Sequence, residues 1–351
     1  MTLLASLALT ASLASAQSAD DQRFSFVVLG HLRGDANGEL LQNLDEVLSE
    51  VERLQPDLVF LCGDLIWGDI EAPTTDAAAI RADWDALDRK LARLSMPVHR
   101  VPGNHDVNDL VTRDIWVERY GDLPKAFEFE GSKFLLLRSV WWPDESEFQK
   151  HPQAYIRGRD LARDQLGFLE RELAEPSRSL HTFVFMHHLL WWSENAAWWR
   201  DAHPILAEAN VDAVFGGDYG PLKFSAAERD GVRYLQTSIE NVISLEMLRT
   251  RELSRQLSAQ FDNFLLVEVD GESVRYDVRT VGALSTGKFS PDRFRAVNEF
   301  DKDTFARKLF KRFSTPDRLV RNLTIAVVAS FAAGIAVAAL YFALRRRGSR
   351  A

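Results

Sequence analysis

Five short, mostly apolar runs in this chain each lead into a turn rich in glycine or in oxygen and nitrogen donors, the third also carrying His99 and Arg100 and the fifth Asp212. Phe24 to Leu29 leads into Gly30-His31-Leu32-Arg33-Gly34, and Leu58 to Cys62 into Gly63-Asp64. Val98 to Val101 leads into Gly103-Asn104-His105-Asp106, Phe183 to Met186 into His187-His188, and Val211 to Phe215 into Gly216-Gly217-Asp218-Tyr219-Gly220. Runs this short, apolar and bounded by glycine read as buried strands. Between the first three, Leu40, Leu41, Leu44, Val47, Leu48, Val51 and Leu54 recur at helical spacing, as do Ile80, Trp84, Leu87, Leu91 and Leu94. Strand–helix–strand alternation builds a sheet with helices outside it. Ligands of such sheets sit beyond the carboxyl ends of the strands, so the five polar turns are expected to meet at one sheet edge. Further strands are expected at Phe134 to Val140, Gly231 to Thr237, Asn263 to Val269 and Ser273 to Arg279, the last three as an antiparallel run, with a helix near Leu161 to Leu173.

Those turns carry chemistry. Glycine allows the sharp bend after the strand. Asp and Asn offer oxygen ligands, and His105 offers a proton near neutral pH. Together these are the parts of a metal site that handles phosphate. A lone Gly-Asp or a lone His is a weak signal; the Gly-Asn-His-Asp string and the order of all five turns are specific.

In that order the chain resembles the calcineurin-like metallophosphoesterases over about residues 24–280. Members carry Asp-x-His, Gly-Asp, Gly-Asn-His-Asp/Glu, a His after an apolar strand, and Gly-His-x-His. Gly63-Asp64, Gly103 to Asp106 and His187 match the middle three motifs; His188, beside His187, is not itself expected to be the ligand. The resemblance implies a four-layer α/β/β/α sandwich, two mixed sheets between helices, with metals at the strand ends.

The outer motifs depart from the pattern. His31 stands where the first Asp belongs and Arg33 where the first His belongs; Asp218 and Gly220 stand where the two His of the last motif belong. One of the family's two metal positions here holds His31, Arg33, Asp64 and Gly220. Arginine cannot deprotonate to ligate and glycine has no side chain. The other position holds Asp64, Asn104, His187 and Asp218, all competent donors. One divalent ion is therefore expected, Mn, Fe or Zn by its mixed N/O donors. Arg33 takes the place of the missing ion, gripping phosphate oxygens. With the site altered in this way, the expected nucleophile is a water activated by the single cation and aided by His31. His105 then protonates the leaving oxygen, and Asp106 orients the His105 ring. Three readings follow: a phosphomonoester or phosphodiester hydrolase, an inactive relative that binds a phosphorylated ligand or lipid headgroup, and a membrane scaffold with a vestigial site. Substrate selectivity is expected in loops 65–80, 141–160 and 189–203. The tryptophan pairs Trp141-Trp142, Trp191-Trp192 and Trp198-Trp199 read as core in preference to a ligand rim.

The ends suggest a membrane. Residues 1–16 are apolar and small and end Ala14-Ser15-Ala16, as a secretory leader does, although no Lys or Arg precedes the apolar stretch. Residues 323–344 contain no charge and are followed by Arg345, Arg346 and Arg347; about 20 residues suffice to cross a bilayer. Basic residues also precede the span, from Arg307 to Arg321, so orientation rests on the leader: a single-pass protein with an extracytoplasmic body and a basic tail, 345–351, inside. Residues 285–322 read as a juxtamembrane linker helix, either lying on the membrane surface or solvated. Cys62 is the only cysteine, so the chain forms no internal disulfide and relies on its core. A net charge of −9 argues against nucleic acid as partner, which selects a basic face; the expected partners are a phosphorylated small molecule or lipid and the membrane.

Overall fold

The computed structural model describes residues 23–34, 38–41, 43–68, 74–140, 142, 161–174, 179–191, 197–218, 224–239, 262–280 and 288–289. All lie in the first of two compact units, residues 1–298; the second, 299–351, is outside the described residues. So are the expected leader (1–16), span (323–344) and basic tail (345–351), and the linker 285–322 apart from two residues. Among the described residues no helix is long and apolar enough to cross a membrane.

The strands are β1 (Arg23–Leu29), β2 (Leu58–Cys62), β3 (Val98–Val101), β4 (Lys125–Phe129), β5 (Ser132–Leu136), β6 (His181–Phe185), β7 (Ala213–Gly216), β8 (Ser225–Arg229), β9 (Val232–Gln236), β10 (Asn263–Asp270), β11 (Ser273–Thr280) and β12 (Lys288–Phe289). The α-helices are α1 (Leu44–Leu54), α2 (Ala77–Leu91), α3 (Leu110–Tyr120), α4 (Arg163–Leu173) and α5 (His203–Glu208), the last entered through a π-helical turn, Trp198–Ala202. Two six-stranded sheets form, in the orders β12-β11-β10-β1-β2-β3 and β4-β5-β6-β7-β9-β8. The neighbours β1-β2-β3 are parallel, as are β5-β6-β7-β9. The polar turns thus belong to two sheets, not one. The stretch expected as an antiparallel run is divided: β9 lies parallel to β7, while β10 and β11 form a hairpin against β1. The first sheet also takes in Lys288–Phe289 beside β11, beyond the expected domain end at 280.

The period-2 alternation of the strands sends one set of rings between the sheets. Phe26 lies 5.0 Å from Phe183 and 5.8 Å from Phe215, and Phe60 stacks on Phe185 at 3.9 Å and on Phe134 at 5.3 Å (ring centroids). All six are fully buried. Each contributes about 1.5–3 kcal/mol by burial, so this aromatic layer fixes the sheets face to face. Val47, Leu48 and Val51 of α1 and Ile80, Trp84 and Leu87 of α2 join the same core. Leu135, Val184 and Tyr234, on the far face of the second sheet, are buried outside that core, as are Phe168 and Leu169 of α4 and Leu206 of α5. Trp191 and Trp198 are buried there around Tyr234, at 5.3 and 6.2 Å, as core residues; Trp141 and Trp192 are outside the described residues.

His181 ties the sheets together at the opposite end. Its Nδ1 faces Asp212 Oδ1 at 2.9 Å and its Nε2 the Gly271 carbonyl at 2.9 Å. Only a doubly protonated ring satisfies both acceptors. Burial pulls its pKa down, but the Asp212 hydrogen bond and the Gly271 carbonyl more than offset this and raise it above 6.5. The stabilisation is therefore complete below about pH 6.5 and is lost as pH rises through the raised value. Thermal unfolding of the chain and of His181→Asn should show the wild-type advantage shrinking across that window; a constant gap would mean the ring does not titrate there.

Candidate metal centre

The carboxyl ends of the two sheets touch. Ile239 N–H donates to Gly30 O at 2.9 Å, and a Cβ on Gly217 would lie 2.1 Å from Cys62 O. Only glycine lets the β7 turn approach the end of β2 this closely. The turns after β1, β2, β3, β6 and β7 are thereby brought to one place.

Asp64 sits at the centre. It is buried and adopts a left-handed conformation, φ 52°, as does His31 at φ 56°. Each such residue costs about 1–3 kcal/mol, which the aromatic layer readily sustains. The strain is backed by a hydrogen-bond frame. His105 N–H donates to Asp64 Oδ1 at 3.0 Å. Asp106, fully buried, accepts from Leu65 N and Ile66 N through Oδ1 and from Gly103 N through Oδ2, at 2.8, 3.1 and 2.8 Å. Asp106 thus clamps the β2 and β3 turns together. It does not orient the His105 ring: that task falls to the Trp67 carbonyl, 2.6 Å from His105 Nδ1. A carbonyl only accepts, so Nδ1 carries the proton and Nε2 is left for chemistry.

Burial pushes the Asp106 pKa up, with the Asp64 charge adding to it. For Asp64 burial also pushes up, but the charge of His187 and the His105 N–H hydrogen bond work against it, and the carboxyl is held below its usual range. His105 is lowered by burial and by Arg33, against the pull of Asp64. Its imidazolium is accordingly a stronger acid and a scarcer one.

His187, fully buried, places Nδ1 2.9 Å from Cys62 O, so Nδ1–H donates there. Its Nε2 lies 3.3 Å from Asp64 Oδ1 and 3.7 Å from Asp218 Oδ1 and has no hydrogen-bond partner. Burial pulls the ring's pKa down, but Asp64 and then Asp218 outweigh it and raise it, so the position favours positive charge. Two carboxylates around one imidazole nitrogen inside a protein repel unless a positive charge lies among them, a proton on Nε2 or a cation in its place. This donor set fits a divalent cation, with Cys62 O supplying the outer hydrogen bond that metal-binding histidines characteristically make. Asn104 is half-buried on the same turn as His105, and Asp218 is half-buried at the end of the β7 turn.

The opposite side of Asp64 is built differently. His31 Nε2 lies 3.4 Å from Asp64 Oδ2, and Arg33 Nε donates to that same Nε2 at 3.3 Å. Burial drops the His31 pKa to about 3, with Arg33, His187 and His105 adding to the fall and Asp64 opposing it. The ring is neutral, and its Nε2 lone pair is taken up by Arg33. His31 therefore holds Arg33 in position and is not set to act as a base on water. Arg33 also lies over the Trp67 ring, 4.7 Å from its centroid, and Trp67 is 5.3 Å from the His105 ring. Trp67 was not singled out in the sequence, although it stands three residues after Asp64, inside a turn that is. Gly220 is outside the described residues.

Comparison with known proteins agrees with this architecture. The calcineurin-like phosphoesterase family model matches residues 31–219, more than half of the 351 residues. A dimetal phosphatase from Danio rerio has a similar structure at TM-score 0.53 and 16% identity, over 77% of this chain and 99% of that one. The purple acid phosphatase PPD1 of yellow lupin (Lupinus luteus) is similar at TM-score 0.50 and 12% identity, over 79% of this chain and 55% of that one. At such identities the likeness concerns the fold. Comparison with curated proteins gives no match. With the motif order, the two sheets and the joined strand ends in agreement, the chain belongs to the calcineurin-like phosphoesterase family.

Proposed function

We propose that this chain is a metal-dependent phosphoric ester hydrolase. It cuts a phosphomonoester or phosphodiester with one cation on Asp64, Asn104, His187 and Asp218, and with Arg33 in place of a second. The observation that carries the reading is the buried, unpartnered Nε2 of His187 between Asp64 and Asp218. A divalent ion there supplies Lewis acidity toward a phosphoryl oxygen and the attacking water.

The chain's own residues do the rest. Arg33, held by His31 and stacked on Trp67, offers a fixed guanidinium to the phosphoryl oxygens as charge builds on them. His105, its Nδ1 fixed on the Trp67 carbonyl, delivers a proton from Nε2 to the leaving oxygen. Asp106 keeps both turns in register. The body belongs outside the cytoplasm, tethered by 323–344; the support is the uncharged length of that segment and the apolar leader.

A panel of aryl phosphates and phosphodiesters with added Mn, Zn or Fe tests the reading. Metal-stimulated turnover supports it. Metal binding without turnover would leave a module that binds phosphorylated ligands or lipid headgroups. Arg33→Ala should lower kcat roughly 10²–10³-fold, the cost of one lost oxyanion donor. Arg33→Lys should recover little of that loss, because lysine has the charge without the planar fork. An unchanged rate in Arg33→Ala would remove the guanidinium from the mechanism.

A further inference from the structure

His188 follows His187 but lies beyond the end of β6, where strand alternation no longer sends neighbours to opposite faces. We propose that His188 is a further protein ligand of the cation held by His187 and Asp218. This rests on the phosphoesterase reading above and changes its donor set. One ligand atom each from His187, His188 and Asp218 lies within 4.8 Å of the others. The two histidines are wired alike. His187 Nδ1 is engaged by Cys62 O, and His188 Nδ1 by Ser139 Oγ at 3.1 Å. In both rings Nε2 is buried with no hydrogen-bond partner.

A single bare nitrogen is a tolerable defect, at about 1–3 kcal/mol. Two in adjacent residues beside one carboxylate have a simpler common cause in a shared ion. Ser139 strengthens the case. It is buried, and its hydroxyl also accepts the His188 N–H at 2.9 Å, so it fixes both the backbone and the ring of His188. That is the orienting hydrogen bond expected behind a metal-binding imidazole. The His187 carbonyl in turn accepts the amides of Gly217 and Asp218 at 3.0 and 2.9 Å, which seats the carboxylate opposite the histidine pair. Donors sharing one zinc ion at about 2.1 Å stand no more than about 4.2 Å apart. A spread of at most 4.8 Å is close to that limit. A second imidazole tilts the set toward zinc or iron and away from manganese.

The test is Co2+ titration of the full chain, read by its ligand-field absorption and by competition. His188→Gln should bind Co2+ about 10–100-fold more weakly and with an altered spectrum. His188→Cys should give a thiolate-to-cobalt charge-transfer band in the near ultraviolet. If neither variant folds, the ring 15N resonances of the unaltered chain decide: Zn2+ should shift those of His188 together with those of His187. Wild-type affinity and spectrum in His188→Gln, no charge-transfer band in His188→Cys, or a His188 ring indifferent to Zn2+ would each overturn the assignment while leaving the phosphoesterase reading intact. A wild-type chain that binds no Co2+ would overturn both.

Discussion

Gly103→Ala is expected to cost the chain its cation while leaving its two sheets assembled. A Cβ at position 103 would lie 2.2 Å from both the amide nitrogen and Oδ1 of Asp64, and 2.9 Å from its Cγ. No such contact persists, so something must move. The β3 turn cannot yield easily, because Gly103 N–H is bound to Asp106, which also holds Leu65 and Ile66. Asp64 is displaced instead, away from the His187 Nε2 that it now faces at 3.3 Å. Cation affinity should fall at least about 100-fold, which is about 2.7 kcal/mol. The circular dichroism of the sheets should stay, since the aromatic layer is untouched. Gly231→Ala is the control. It places alanine at φ +83° with nothing within 4 Å, so it carries backbone strain of about 1 kcal/mol and no clash. It should melt earlier and bind metal normally. Equal metal affinity in the two variants would mean that Asp64 is not a ligand.

His105→Ala should lower turnover roughly 10²–10⁴-fold, the range for a lost general acid, with little change in metal affinity. The separation follows from the geometry. His105 supports Asp64 through its backbone N–H, which alanine retains, and its ring is hydrogen-bonded to the Trp67 carbonyl instead. Asp106→Asn should behave in the opposite way. The amide oxygen can still accept from Leu65 and Ile66, but the NH2 group is then set against the Gly103 N–H, donor against donor, so stability and metal affinity should fall together. Measured side by side, the two variants distinguish the chemical group from the structural clamp. Loss of metal in His105→Ala would mean that its ring supports the turn instead of the reaction.

Much of this was legible in the sequence, for identifiable reasons. β2 and β3 begin and end at the expected residues, Leu58–Cys62 and Val98–Val101: the first is a continuous apolar run that stops at Gly63, and the second, although it carries His99 and Arg100, is bracketed by Pro97 and Pro102. α3 was missed because its buried stripe is narrow, Thr112, Ile115 and Trp116, although Asp109 and Thr112 form a capping box at its start. β4 is largely exposed and β8 is built on two alanines; both are edge strands with little apolar signal. The division of the polar turns between two sheets followed only from the family resemblance, since period and spacing do not say which strands pair. In the site, donor types were readable from motif order. Partnerships were not: Asp106 on three amides, Trp67 O on His105, and Arg33 on His31 depend on how turns from distant strands interlock.

Elemental analysis of the purified chain after loading with Zn, Mn or Fe addresses the central claim most directly. One ion per chain is the expected result, with Arg33 and His31 excluding a second. Two ions per chain, or none under any loading, would contradict it.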